Sequence, residues 1–228
     1  MTRSGPDPVA PPPPGAPFRP GPALRAACLS WQGIVAAALP LTLCRYWWLG
    51  RTRPLYRRHL SQRFGGGMLP AVAGGVWVMA GGADETRVAT PLLRALLDRG
   101  LPVVLTHTAP DGLSEGQRQF AADIAAGRMR HGHAPFDLGP VLRRFQRRHR
   151  PRLALVIGVP VRPVQVIEAA RAGIPLVLLT EGEATHSCGL PGAGLLRRAV
   201  MPGLAAVLPG PSAPVERTLA MLERWLRR

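Results

Sequence analysis

The sequence contains no lysine and no asparagine, and only 5% of its residues are aromatic. All 29 basic residues are therefore arginines, set against 13 acidic ones for a net charge of +16. Such a balance fits a polyanionic partner. Both missing residues have AT-rich codons, however, so a GC-rich genome accounts for the surplus of Arg, Ala, Gly and Pro. Aromatic side chains are not interleaved with the arginines as single-strand binders require, and no nucleic-acid-binding motif is present. Nucleic acid is not the expected partner. Cysteine is scarce as well. Cys28, Cys44 and Cys188 have no metal-ligand spacing and form no C-x-x-C pair, which fits a reducing compartment. There is no G-x-G-x-x-G fingerprint and no Walker loop. His131-Gly132-His133 is too short a signal for a metal site, and Ser187-Cys188 lacks a nucleophile-elbow context. No metal and no cofactor are expected.

What is present divides the 228 residues into four parts. Residues 1–22 are a Pro/Gly-rich leader that cannot build a core and reads as disordered. Within 23–50, Ala27 to Cys44 is uncharged for eighteen residues, near the lower limit for crossing a bilayer. Tyr46-Trp47-Trp48 follows, aromatics suited to the headgroup level, and then Arg51, Arg53, Arg57, Arg58 and Arg63. The expected role is a membrane anchor with the following chain on the cytoplasmic side; a buried core helix is the alternative. Residues 51–67 read as a basic amphipathic linker. Arg51 to Phe64 is expected to form a helix with Tyr56, Leu60 and Phe64 on one face, lying on an anionic membrane surface. Gly65-Gly66-Gly67 would be a flexible joint.

Residues 68–228 alternate apolar runs with amphipathic ones. Strands are expected at Val76–Ala80, Pro102–Thr106, Leu153–Val159, Pro175–Thr180 and Leu204–Leu208, with a short one within Arg128–His133. Helices are expected near Glu85–Arg99, Ser114–Ala125, Leu138–Arg148, Pro163–Ala172 and Pro214–Leu226. Continuous apolar strands separated by helices make a parallel sheet covered on both faces. The expected fold is α/β, a Rossmann-like three-layer domain behind an N-terminal apolar anchor helix.

In such folds ligands bind at the carboxyl ends of the strands. The loop Gly81-Gly82-Ala83-Asp84-Glu85-Thr86 is therefore the first candidate, and Glu85 its candidate working residue. Two readings of Glu85 stand side by side. As a first-turn carboxylate it would simply favour the helix dipole. Alternatively Thr90-Pro91 is the true helix start and Glu85 lies in an open loop. The polar turn Thr106-His107-Thr108-Ala109-Pro110-Asp111-Gly112 follows the second strand at the same edge. Its hydroxyls and backbone donors would suit a sugar or phosphate, although a plain Pro-Asp-Gly turn explains it too. Arg143, Arg144, Arg147, Arg148, Arg150 and Arg152 form the densest basic cluster. They are either a solvated helix face or a contact for lipid or phosphate.

Five pieces resemble, in order and spacing, the amino-terminal half of the 3-deoxy-D-manno-octulosonic acid (Kdo) transferases. They are Pro54–Gly65; Gly82–Thr86 with Pro91–Leu96, similar to the family's S-x-G-E-T and P-L-x-x-x-L; Leu105–Gly112, similar to T-x-T-x-T-G; Ala134–Leu138, similar to P-Y-D; and Gly173–Val177. The resemblance implies one half of a two-domain GT-B-type glycosyltransferase. Such an enzyme transfers Kdo from CMP-Kdo to lipid A precursor at the cytoplasmic face of the bacterial inner membrane. It implies that Glu85 is the general base and that Thr106, Thr108, Asp111 and Gly112 lie on the acceptor side. The family's E-T-E-x-W-P-N stretch here reads Gly158–Val164, with both carboxylates and the tryptophan gone, and its N-A-R reads Thr180-Glu181-Gly182. The donor-binding domain is expected from elsewhere. The alternative is a non-catalytic relic or accessory protein of envelope lipid A assembly.

Overall fold

The computed structural model of the chain describes residues 18–66, 73–180, 193–210 and 213–227. Most of the leader therefore lies outside the described residues. The chain enters through a 28-residue helix, α1 (Pro22–Leu49), then a 3-10 turn (Pro54–Tyr56) and one helical turn, α2 (Leu60–Arg63). The globular order is β1 (Val76–Ala80), α3 (Ala83–Asp98), β2 (Val103–His107), α4 (Pro110–Ala125), β3 (Met129–His133) and α5 (Gly139–His149). It continues with β4 (Leu153–Ile157), α6 (Pro163–Arg171), β5 (Leu176–Thr180), α7 (Ala193–Val200), β6 (Ala206–Pro209) and α8 (Val215–Leu226).

All six strands pair in parallel, in the order β3-β2-β1-β4-β5-β6. The expected three-layer, Rossmann-like α/β fold is what the chain adopts. In β1 the pleat divides an unbroken apolar run between two cores. Val76, Val78 and Ala80 meet α3, α4 and α8, whereas Trp77 and Met79 meet α1, α5, α6 and α7. Trp77 buries its ring against Phe145 at 4.6 Å between centroids. Its indole N–H donates to Thr106 Oγ1 at 2.9 Å, as a buried Trp requires. The helices after β1 and β4 thus cover opposite faces, and the topology switches between these two strands. A crevice opens there, at their carboxyl ends.

Three expected elements take another form. Helix α3 starts at Ala83 and runs through Pro91, so Thr90-Pro91 is not its beginning. Helix α4 starts at Pro110, four residues before the expected Ser114, because a proline at the first helical position sacrifices only an N–H that would be unbonded anyway. The continuous helix over Arg51–Phe64 does not form. His59 adopts a left-handed backbone (φ 58°) that breaks it into the 3-10 turn and α2. Helix α7 is not among the expected helices.

Helix α1 is apolar and long enough to cross a membrane, with mean hydropathy 1.6 over its best eighteen residues. It nevertheless rests on the domain. Cys28 is buried, and Leu24, Trp31, Gln32, Val35, Leu39, Thr42, Leu43, Tyr46 and Leu49 are half-buried, most of them spaced three or four apart. Leu29, Ile34, Leu41, Trp47 and Trp48 are exposed around the rest of the helix. Two polar side chains fasten it. Trp31 Nε1 donates to Asp137 Oδ2 at 3.2 Å, and Gln32 Oε1 accepts the N–H of Gly139, the first residue of α5, at 2.8 Å. Cys28 and Tyr46 lie about 27 Å apart along the axis at 1.5 Å per residue, so the helix is held near both of its ends.

Candidate functional site

Glu85 stands in the first turn of α3, at the crevice between β1 and β4. Its Oε2 accepts the Gly82 N–H at 2.8 Å, the reaching-back half of a capping box. Gly82 has no side chain to return the favour, and Oε1 has no partner among the described residues. The capping role expected from first-turn physics is thus present, and it leaves one carboxylate oxygen unused. Two glycines make room for the side chain. A Cβ on Gly158, just past β4, would lie 2.5 Å from Glu85 Cγ, and one on Gly81 would lie 2.9 Å from its carboxyl group. Gly158 also has φ +62°, which L side chains rarely adopt. Gly158→Ala is therefore expected to lower unfolding stability by about 1–3 kcal/mol and to displace Glu85. Denaturant unfolding measures the first, and the rate of any Glu85-dependent activity the second.

The turn after β2 separates into two groups. Thr108 borders the crevice. Its Oγ1 donates to Gly81 O at 3.1 Å, and its carbonyl accepts from Arg63 Nη2 at 3.4 Å. Asp111 is exposed, accepting the Gly112 N–H at 3.0 Å and lying near the Ala83 N–H at 3.5 Å. Thr106 is not available to a ligand. It is fully buried, and its hydroxyl links Trp77 to the Val78 carbonyl. Gly112 is buried as well, 2.5 Å from His107 Nδ1 at the position a Cβ would take, and its N–H is used by Asp111. Of the four expected acceptor-side residues, Thr108 and Asp111 remain at the edge, while Thr106 and Gly112 support it from beneath.

Beneath this edge lies a set of neutral histidines. Thr86 Oγ1 donates to Gly82 O at 2.6 Å, so its 3.3 Å contact with His107 Nδ1 is donated by the ring. Burial drives His107 down to about 3, helped by the adjacent His131 and His133. Burial likewise lowers His131 and His133 to about 4, with Arg63 adding to the effect on His133.

Close to Glu85, which is not itself in the wall, a cavity of about 380 Å³ opens, lined by Val159, Thr108, Tyr46, Arg63, Asp137 and Arg162 among others. Arg63 is the unexpected member. Read as a solvent-facing linker residue, it is 4% exposed. Its guanidinium lies 4.8 Å over the Tyr46 ring, and its carbonyl accepts the Phe136 N–H. The Gly65-Gly66 joint is buried against α5, and Gly67 lies outside the described residues. Asp137 was also missed as a working residue. It accepts the N–H groups of Val164 (3.3 Å) and Gln165 (2.9 Å), capping α6 from 27 positions away, and the indole N–H of Trp31. Burial pushes its carboxyl above the usual range, while Arg162 and these donors pull it back. Its signal in the sequence was the Pro135-Phe136-Asp137 piece. Asp137→Ala leaves two buried N–H donors and the half-buried Trp31 indole unmatched and is expected to cost about 2–6 kcal/mol, checked by thermal unfolding. A second cavity of about 360 Å³ adjoins at Tyr46 and Thr108, reaching Leu41, Thr42 and Arg45 of α1.

Residues 58–185 match the family model described as 3-deoxy-D-manno-octulosonic-acid transferase (kdotransferase). The chain belongs to the Kdo transferase family. The matched stretch runs from the end of the 3-10 segment past β5, so it holds Arg63, Glu85, Thr108, Asp137 and Arg162 together. The 3-deoxy-D-manno-octulosonic acid transferase of Bordetella pertussis is 43% identical over 149 residues, covering 64% of this chain. That alignment covers 34% of the Bordetella protein. In this Kdo transferase-family domain the stretch Gly158–Val164 supplies Val159 and Arg162 to the cavity wall. Glu181 and Gly182, expected in place of the family's N-A-R piece, lie outside the described residues.

Proposed function

We propose that this domain is the acceptor-binding side of a glycosyltransferase that moves Kdo from CMP-Kdo to the lipid A precursor of lipopolysaccharide. The observation that supports it best is Glu85: a carboxylate held at the β1/β4 switch point with Oε1 unused, beside a cavity carrying two arginines. In the reaction the acceptor O–H gives its proton to Glu85 as its oxygen bonds to the anomeric carbon. The bond from that carbon to the CMP phosphate breaks, and CMP leaves with the electron pair. Carboxylate bases at such loops contribute about 10²–10⁴-fold. Arg63 would face the phosphorylated acceptor, and Thr108 its hydroxyl groups. Helix α1 attaches the domain to the cytoplasmic face of the inner membrane, with its exposed leucines and tryptophans in the lipid and its shielded stripe on the domain. The CMP-sugar is bound by a second, donor-side domain outside the residues described.

Mass spectrometry of lipid A precursor incubated with CMP-Kdo, this chain and a donor-side domain tests the reading. An adduct of one Kdo is expected, and no adduct under any pairing would overturn it. A second reading, a non-catalytic member of envelope assembly, is favoured by two observations: Glu85 already serves as a helix cap, and Gly158–Val164 carries no carboxylate. Under that reading Glu85→Ala would leave genetic complementation unchanged.

A further inference from the structure

On the side of the domain away from the crevice, α5 and α6 end beside the starts of β4 and β5. Between them lies a cavity of about 450 Å³. Four arginines reach its wall: Arg143, Arg147 and Arg150 from α5 and its end, and Arg171 from α6. One buried carboxylate stands among them. Glu168 is 4% exposed, and its Oε1 takes both Arg143 (2.7 Å) and Arg171 (3.0 Å). A single oxygen thus fixes two guanidinium groups, whose other N–H donors have no partner among the described residues, while Oε2 is buried without a partner. Arg147 and Arg150 have no ion-pair partner among the described residues. Four cations against one anion leave the cavity three charges positive.

One further observation points to a ligand. Gln146, 5% exposed, lines the same cavity with its Nε2 buried and without a partner among the described residues. An unmatched buried amide donor is costly, and an acceptor in the cavity removes that cost. Arg150 closes α5 in the left-handed conformation (φ 40°, ψ 53°), a position that normally falls to glycine or asparagine.

We propose that this cavity binds a phosphate monoester. Guanidinium forks match phosphate oxygens in pairs, and a dianion suits the net charge better than a carboxylate does. Two helix carboxyl ends face the cavity, and their dipoles oppose an anion. The contacts therefore come from the arginine side chains and the Gln146 amide, not from backbone N–H groups. The phosphate belongs either to a lipid headgroup or to a soluble metabolite. The site is separate from the crevice and does not depend on the reaction proposed there.

The full chain in uncharged detergent micelles is titrated with glycerol 3-phosphate at constant ionic strength, followed by calorimetry and thermal unfolding. Saturable binding with a rise in Tm is expected. Arg147→Gln and Arg150→Gly should each weaken affinity by about tenfold or more. Arg150→Gly relieves the left-handed strain, so the ligand-free protein should melt no lower than the parent while still losing affinity. Arg144→Gln, an equal charge change on the same helix whose side chain lies against Gly66, should bind like the parent. Because α1 would carry the full chain onto any vesicle, short-chain phosphatidic acid and phosphatidylglycerol, titrated as monomers into the same micelles, separate the sources. Arg147-dependent binding of the phosphatidic acid that is tighter than that of glycerol 3-phosphate assigns the lipid headgroup, and binding no tighter than that of glycerol 3-phosphate assigns the metabolite. No saturable binding overturns the site. So does equal loss in Arg144→Gln, or no loss in Arg147→Gln and Arg150→Gly.

Discussion

Glu85→Gln is expected to lower Kdo transfer by about 10²–10⁴-fold, the usual contribution of a positioned general base, while changing stability by less than about 1 kcal/mol. The amide oxygen can still accept the Gly82 N–H that Oε2 accepts at 2.8 Å, so the start of α3 keeps its cap. What disappears is the capacity to take a proton on Oε1. Glu85→Ala removes both functions at once and is expected to add a cap loss of about 0.5–2 kcal/mol to the same kinetic defect. The pair of variants therefore separates capping from catalysis. Equal transfer rates for the parent and Glu85→Gln, measured by product mass spectrometry with a donor-side domain present, would remove Glu85 from the chemistry and leave it as a cap.

The second large effect is on acid stability. His107, His131, His133 and His149 are lowered to between about 3 and about 4, in each case chiefly by burial. The unfolded chain takes up protons near 6.5 and the folded chain does not, so unfolding becomes easier as pH falls through that range. The stabilisation from neutral histidines is complete above pH 6.5 and is lost progressively towards pH 3–4. Each such histidine removes up to about 1.4 kcal/mol per pH unit below 6.5. Asp137 acts in the opposite sense, since burial raises its carboxyl, but it is one group against four. Between pH 6.5 and 5 ordinary carboxylates remain ionised, so the loss there belongs to the histidines. Denaturant unfolding at pH 8, 6.5 and 5 should show a steep drop only below 6.5. A flat profile down to pH 5 would mean that these rings are hydrated.

The sheet was legible because burial on both faces leaves little choice of residue. Val76–Ala80 is apolar at every position, and its neighbours are nearly so, so composition alone marks them as strands of a covered parallel sheet. Glu85 was legible as well, because a carboxylate three residues past a glycine turn has the same physics whether it caps or catalyses. The cavity wall was not. Arg63 sits in a run of arginines that reads as a solvated face, and only Tyr46, Thr108 and Phe136, brought in from distant parts of the chain, make it a buried cation. The left-handed turn at His59 that aims it inward has no local signal, since histidine there gains nothing a neighbour could reveal. Asp137 caps a helix that begins 26 residues later, a relation no short-range pattern encodes. Thr106 shows the converse. A threonine at a strand end resembles a ligand group in sequence, yet Trp77 on the neighbouring strand claims its hydroxyl.

The attachment of α1 along the domain has a practical consequence. Apolar leading helices are commonly removed to obtain soluble protein, and a chain shortened to begin at residue 73 would look like a complete six-stranded domain. It would lack Trp31, Tyr46 and Arg63 from the cavity wall, the Gln32 cap on α5, and the Gln62 side chain that accepts the His133 N–H at 3.0 Å. An inactive truncated protein would then report a missing wall rather than a missing membrane. Solubility is better sought by replacing the outward Leu29, Ile34, Leu41 and Trp48 with polar residues, keeping the shielded stripe intact.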